Sequence, residues 1–167
     1  MAPANQLRSR ILERTLSGLD RIAELRGRVT EDAPHLIAGL EGEEVALHHL
    51  RRNDYRIVAR RWTSGTIPGD LDLIAWQGSL LCFVEVKTRT AQDLTPAETA
   101  VDSHKRNVLR RLARQYLRLL PAGPAPQIRF DVISVYLVPG VQPEVAHFEN
   151  VFGWNEGARF RQADATA

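Results

Sequence analysis

Apolar residues along the chain change their spacing several times, and each change marks an element. At Leu7, Ile11, Leu12, Leu16, Leu19, Ile22 and Leu25 they recur every three or four positions, which predicts an amphipathic helix. Arg28-Val-Thr-Glu-Asp-Ala-Pro34 then reads as a linker, so residues 1–35 form an N-terminal helical extension, a packing or dimerising arm. A second helical stripe of Leu36, Leu40, Leu47 and Leu50 predicts a helix from Leu36 to about Arg52. Three strands follow, at Tyr55–Trp62, Asp70–Trp76 and Leu80–Arg89. Between the last two, Gly78-Ser79 suits a type II′ hairpin loop, because glycine at the first loop position accepts a positive φ. Thr95-Pro-Ala-Glu98 has the cap, the first-turn proline and the capping glutamate of a helix start. Apolar residues carry that helix through Val101, Val108, Leu112 and Tyr116 to about Leu120, and Pro121-Ala-Gly-Pro-Ala-Pro126 ends it. Phe130–Val138 and a shorter Val145–Phe152 read as strands. The order predicts one α/β domain over residues 36–155 with a mixed central sheet flanked by helices, then a C-terminal tail, 156–167.

Composition narrows the class. The chain has 167 residues, 44% hydrophobic and 25% charged, which is ordinary for a folded globular protein. Lys and Arg number 22 against 20 Asp and Glu, so net charge alone does not predict a polyanion partner and clustering must decide. The single cysteine, Cys82, excludes an internal disulfide and a zinc site built from cysteines. The longest uncharged runs, such as Leu73 to Val84, fall short of the roughly 18 residues that a spanning helix needs. Arg8 and Arg10 precede any apolar stretch, unlike a signal peptide. The expectation is a cytoplasmic protein with no membrane contact.

Charges then interrupt the apolar pattern in informative places. The third strand, Leu80-Leu-Cys-Phe-Val-Glu-Val-Lys-Thr-Arg, is apolar enough to be covered on both faces, yet Glu85 and Lys87 sit in it two apart, on one face. Asp70 and Asp72 share a face of the strand before it. With Gly78-Ser79 as the loop, Asp72 lies opposite Glu85 and Asp70 opposite Lys87, and opposed Cβ atoms are roughly 5 Å apart. A loop on Gln77-Gly78 keeps Asp72 and Glu85 on one face, whereas a three-residue loop without a bulge separates them. Two desolvated carboxylates this close repel, so one is protonated or a cation lies between them. Oxygen donors with no His or Cys nearby suit Mg²⁺ or Mn²⁺. The plainer alternative pairs the acids with Lys87 and Arg89. Glu43 sits on the apolar stripe of the helix over Leu36–Arg52 and so needs a partner, either the same site or an Arg such as Arg60. Lys105 lies among Val101, Val108 and Leu112 of the later helix, where its stem can run along apolar surface to water.

These residues resemble a family. Gly39-Leu-Glu-Gly42-Glu43-Glu44-Val-Ala46, Pro68-Gly69-Asp70-Leu-Asp72-Leu-Ile and Phe83-Val-Glu85-Val-Lys87-Thr-Arg89 are similar to the YraN-like predicted nucleases. So are Pro96-Ala-Glu98 with Lys105, Arg129-Phe-Asp131-Val and His147-Phe-Glu-Asn150-Val-Phe152, in the same order over residues 36–152. The family is a branch of the PD-(D/E)XK, or restriction-endonuclease-like, superfamily, which includes archaeal Holliday-junction resolvases. The resemblance implies the α-β-β-β-α-β core of that superfamily. It also implies Asp72 and Glu85 as metal-binding acids, Lys87 as the lysine of the E-x-K element, and Glu43 as the helix acid of resolvase-like members. One departure is Asp70, where the family usually has glutamate.

Phosphodiester hydrolysis would use such a set, because it needs an attacking water, a stabilised extra negative charge and a neutralised leaving oxygen. Asp72, Glu85 and Glu43 are the candidate metal ligands, and with Lys87 they are the candidate catalytic residues. His104–Arg118 carries six Lys or Arg and no acid, and Lys105, Arg106, Arg110, Arg111 and Arg114, with Arg51 and Arg52, are candidates to bind a phosphate backbone. No helix-turn-helix, zinc-finger or aromatic RNA-binding motif is present, so backbone or shape recognition of DNA, including branched DNA, fits better than base reading. His48, His49, His104 and His147 lack metal spacing and read as surface or packing residues. The leading expectation is a Mg²⁺-dependent DNA endonuclease directed by DNA structure, with a homodimer by analogy to related nucleases. The competing expectations are a non-catalytic nucleic-acid-binding module on the same fold, and a protein whose N-terminal helix docks another chain.

Overall fold

The computed structural model describes residues 33–90 and 101–154. The expected N-terminal helix, the Thr95-Pro-Ala-Glu98 cap and the C-terminal tail lie outside them. Helix α1 (Ala33–Arg52) leads into strands β1 (Arg56–Trp62), β2 (Leu71–Gln77) and β3 (Leu80–Arg89). Helix α2 (Ser103–Leu117), β4 (Ile128–Tyr136) and β5 (Glu144–Phe152) follow. Strands lie side by side in chain order, β1 to β5. Every neighbouring pair is antiparallel except β3 and β4, which run parallel on either side of the connection that contains α2. This is the expected α/β fold with a five-stranded mixed sheet, consistent with a restriction-endonuclease-like core.

The β2–β3 hairpin decides where the acids go. Gln77 pairs with Leu80, Ala75 with Cys82 and Leu73 with Val84, so the loop is Gly78-Ser79. Gly78 has φ +58° and Ser79 is not among the positive-φ residues, the pattern of a II′ turn. Continuing that register sets Asp72 across from Glu85.

Alternation along the strands builds two cores. Cys82 and Val84 of β3 join Leu73, Ala75, Ile133 and Val135 under Ala46, Leu47 and Leu50 of α1. Leu81 and Phe83 point the other way, with Ile74, Phe130 and Val132, onto Leu109, Leu112 and Tyr116 of α2. Glu85 and Lys87 share the parity of Phe83 and so belong to the α2 face. Close packing of α1 on β3 needs Gly42, since a Cβ there would lie 1.9 Å from Thr88 Oγ1 and 2.9 Å from its Cβ.

The helix that the sequence pattern carries through Val101 to about Leu120 is interrupted at Asp102. Asp102 is extended, and its Oδ1 accepts the backbone N–H of Lys105 at 2.8 Å, so the helix begins at Ser103. An aspartate cap satisfies a first-turn amide that a continuing helix would have bonded elsewhere. Apolar spacing alone cannot show that break.

The far end of the sheet is pinned by buried Asp131, which is 1% exposed. Its carboxylate accepts from Arg129 Nε at 2.8 Å and from the backbone N–H of Asn150 at 2.9 Å, and lies 3.3 Å from His147 Nε2. Arg129 continues to the Tyr55 hydroxyl at 2.7 Å and to Glu149 at 3.0 Å. Burial opposes the charge of Asp131, but His147, Arg129 and the Asn150 amide outweigh it and hold its pKa below the usual value. Burial, then Asp131, pushes the Cys82 thiol up to about 11. His147 is thus a packing and hydrogen-bonding residue of β5, as its lack of metal spacing implied.

Candidate active site

A cleft of about 350 Å³ opens where β3 ends against the first half of α1, and Glu43, Asp72, Glu85 and Lys87 all line it. Each arrives by a local rule. Glu43 is carried inward by the helical stripe that buries Leu40, Leu47 and Leu50. Asp72 and Glu85 arrive by hairpin register, and Lys87 by the two-residue repeat of β3. The structure adds His35, Gly39, Thr88 and Thr90 to the lining, none of which carried a chemical signal in the sequence.

Glu85 is the centre of the charge arrangement. It is 3% exposed. Its Oε1 accepts from Lys87 Nζ at 2.9 Å and faces Lys105 Nζ at 3.1 Å. Its Oε2 has no hydrogen-bond partner among the described residues. Lys105 therefore turns into the site rather than out to water, because a buried carboxylate outweighs hydration at the end of an apolar stem. Burial works against the Lys105 charge, yet Glu85 holds its pKa above the usual value.

Asp72 accepts the Val86 backbone N–H on Oδ2 at 2.7 Å. Desolvation first, then the neighbouring Glu85, push its carboxyl up to about 8 against that hydrogen bond. Glu43 is raised by burial in the first place, partly offset by Arg61, whose Nε lies 3.2 Å from Glu43 Oε2. Of the two partners expected for Glu43, the cleft or an arginine such as Arg60, Arg60 itself goes to Glu44 at 2.6 Å. Arg61 reaches Glu43 because its backbone is turned to φ +45°, a costly conformation for a long side chain. Glu43 thus lines the cleft with its charge answered by Arg61, while Asp72 and Glu85 face each other.

Oxygen donors, mutual repulsion and the orphaned Oε2 fit a hard divalent cation. Among the described residues no three His, Cys, Asp or Glu side chains form a ready-made metal cage.

The basic helix divides. Arg110 is 7% exposed, its Nε donates to the Gly153 carbonyl at 3.0 Å and its guanidinium lies 5.2 Å from the Phe152 ring centre. Arg106 donates to the Val101 carbonyl at 2.7 Å and lies 5.8 Å from the same ring, and Arg114 lies 4.9 Å from the Trp154 ring. Residues four apart share a helix face, and this face packs on the end of β5. Of the residues expected to bind phosphates, Arg110 serves the fold. Arg111 is exposed, as are Arg51 and Arg52, which lie roughly 12 Å or more along α1 from Glu43 at 1.5 Å per residue.

Comparison with known proteins identifies the lineage. Residues 42–135, which hold every acid of the cleft and both lysines, match the uncharacterised protein family UPF0102. The chain belongs to that family. UPF0102, the YraN-like proteins, lies within the restriction-endonuclease-like superfamily. A UPF0102 protein of Koribacter versatilis is 44% identical over 122 residues, covering 73% of this chain and 83% of that one. One from Porphyromonas gingivalis is 44% identical over 121 residues, covering 72% and 87%. One from Nocardia farcinica is 47% identical over 115 residues, covering 68% and 87%. Among the described residues no helix is long and apolar enough to cross a membrane.

Proposed function

We propose that this UPF0102 protein is a divalent-metal-dependent DNA endonuclease of the cytoplasm, directed by DNA structure rather than base sequence. The observation that carries the reading is the Asp72–Glu85 pair, two facing carboxylates with one buried oxygen unpartnered among the described residues, beside two lysines. Asp72 and Glu85 would hold the cation, and Glu43 lies on the cleft wall to support it. Mg²⁺ or Mn²⁺, when bound, supplies neutralisation of charge on the reacting phosphate and leaving oxygen.

The chain's own groups do the rest. Lys87 Nζ is fixed on Glu85 Oε1 and keeps donors free to orient a water or a phosphate oxygen. Gly39 lines the cleft, and a Cβ there would meet nothing within 4 Å. Exposed Arg111, Arg51 and Arg52 attract the backbone without reading bases.

The test is incubation of the full chain with labelled junctions, flaps and single strands, in Mg²⁺ or Mn²⁺ and in chelator. Wild type cuts at least one of them only with metal, and Asp72→Ala abolishes cutting while keeping the wild-type circular dichroism. Equal trace activity in both proteins removes the enzyme reading. The second reading, a non-catalytic DNA-binding module, draws on the absence of a ready-made three-residue cage among the described residues. It predicts salt-dependent DNA binding that Asp72→Ala leaves intact or strengthens, without cleavage.

A further inference from the structure

Lys105 is better placed than a structural neutraliser needs to be. Glu85 already has Lys87, two residues away on its own strand, at 2.9 Å. Lys105 comes from a different element and adds a second ammonium to the same oxygen at 3.1 Å, while the other oxygen has no hydrogen-bond partner among the described residues. Its backbone is anchored, since its N–H is held by the Asp102 carboxylate. Its side chain is 31% exposed, so it has a path out of the cleft without any movement of α2.

A dication held by Asp72 and Glu85 would meet a concentrated positive charge on Glu85 Oε1. Lys87 belongs to the strand that carries Glu85, two residues away on the same face, so its backbone keeps it beside that carboxylate, whereas Lys105 reaches it from α2. Lys105 is the group that can leave, and the anion that arrives in this cleft under the nuclease reading is a phosphate.

We infer that Lys105 is a positioning residue that stands in for the cation on Glu85 and is handed to a substrate phosphate when the cation binds. This rests on the metal-dependent reading above. It makes metal and DNA binding mutually reinforcing through one side chain, and reciprocal by linkage.

Calorimetric titration of the full chain with Mn²⁺ tests it, on wild type, Lys105→Met, Lys105→Arg and Arg111→Ala. Lys105→Met removes the competitor and binds Mn²⁺ about fivefold tighter or more. Lys105→Arg keeps the charge and stays at wild-type affinity. Arg111→Ala removes the same charge from an exposed position of the same helix and leaves Mn²⁺ affinity unchanged, which separates a direct contact from a general field. A second titration, with a hydrolysis-resistant phosphorothioate junction bound, shows Mn²⁺ affinity rising in wild type and rising by a smaller factor in Lys105→Met. Equal or weaker Mn²⁺ binding by Lys105→Met, or equal enhancement by DNA in both proteins, overturns the inference and leaves the nuclease reading standing. Absence of Mn²⁺ binding by wild type overturns the metal-dependent reading itself, and the inference with it. If Lys105→Met fails to fold by circular dichroism, Lys105→Ala is titrated in its place under the same criteria.

Discussion

The Val86 backbone N–H of β3 donates to Oδ2 of Asp72 on β2 at 2.7 Å. That bond holds Asp72 beside Glu85 although the two acids repel. It lies just beyond the last Leu73–Val84 pair of the ladder, one residue past it on β2 and two past it on β3. The site is therefore built where regular pairing gives way and a side chain takes over an amide.

Asp72→Asn keeps an acceptor for Val86 and removes the repulsion. The metal-free variant is more stable than wild type at pH 8, by about 1–3 kcal/mol, as desolvated like charges imply. The same variant loses divalent-ion binding. Chemical denaturation in chelator and calorimetry with Mn²⁺ measure the two effects.

The pH dependence follows from the same group. The Asp72 pKa is raised on folding from 3.8 to about 8. The folded state then holds a proton that the unfolded state has released, so this contribution to stability is complete below the unfolded pKa and is lost as pH rises towards about 8. Melting wild type and Asp72→Asn in chelator from pH 4 to 9 should show the gap between them widening upward. Saturating Mn²⁺ stabilises wild type more at pH 8 than at pH 5, because cation and proton compete for the same carboxylates.

The two halves of the basic helix separate under mutation. Arg110→Ala destabilises by about 1–3 kcal/mol, through the lost bond to Gly153 and the lost ring contact. Arg111→Ala changes stability little, but weakens DNA binding across all sequences and lowers the salt slope by about one. Denaturation curves and binding isotherms over a salt series check both.

Gly42→Ala drives a methyl group into Thr88 and costs about 2–4 kcal/mol unless α1 moves. Adding Thr88→Ala removes the Oγ1 and Cγ2 contacts at 1.9 and 3.0 Å and recovers part of the loss, while the Cβ contact at 2.9 Å remains. Thermal melts of the single and double variants decide it.

Much of the fold and of the site is legible in the sequence. Leu80–Arg89 can be bounded to the residue, because a long apolar run ending in charges has few other conformations. The Gly78-Ser79 loop is readable from turn chemistry, and it sets the register that brings Asp72 to Glu85. Helix boundaries are less legible: α2 begins at Ser103 because Asp102 caps it, a break that apolar spacing does not mark. Arginine pairing is illegible. Arg60 and Arg61 are adjacent and chemically identical, and the backbone turn at Arg61 sends one to Glu44 and the other to Glu43.

Periodicity and turn residues act over a few neighbours, so they suffice to specify strands, helices, the hairpin and which acids share its face. Matters that depend on groups distant in the chain meeting in space needed the folded molecule. Lys105 turns inward because the carboxylate of Glu85, twenty residues earlier, is buried within reach of α2. Arg110 is spent on the carbonyl of Gly153, more than forty residues later, rather than on a ligand. A long charged side chain follows the strongest unpaired charge or dipole within its reach, and which one that is depends on how the elements pack.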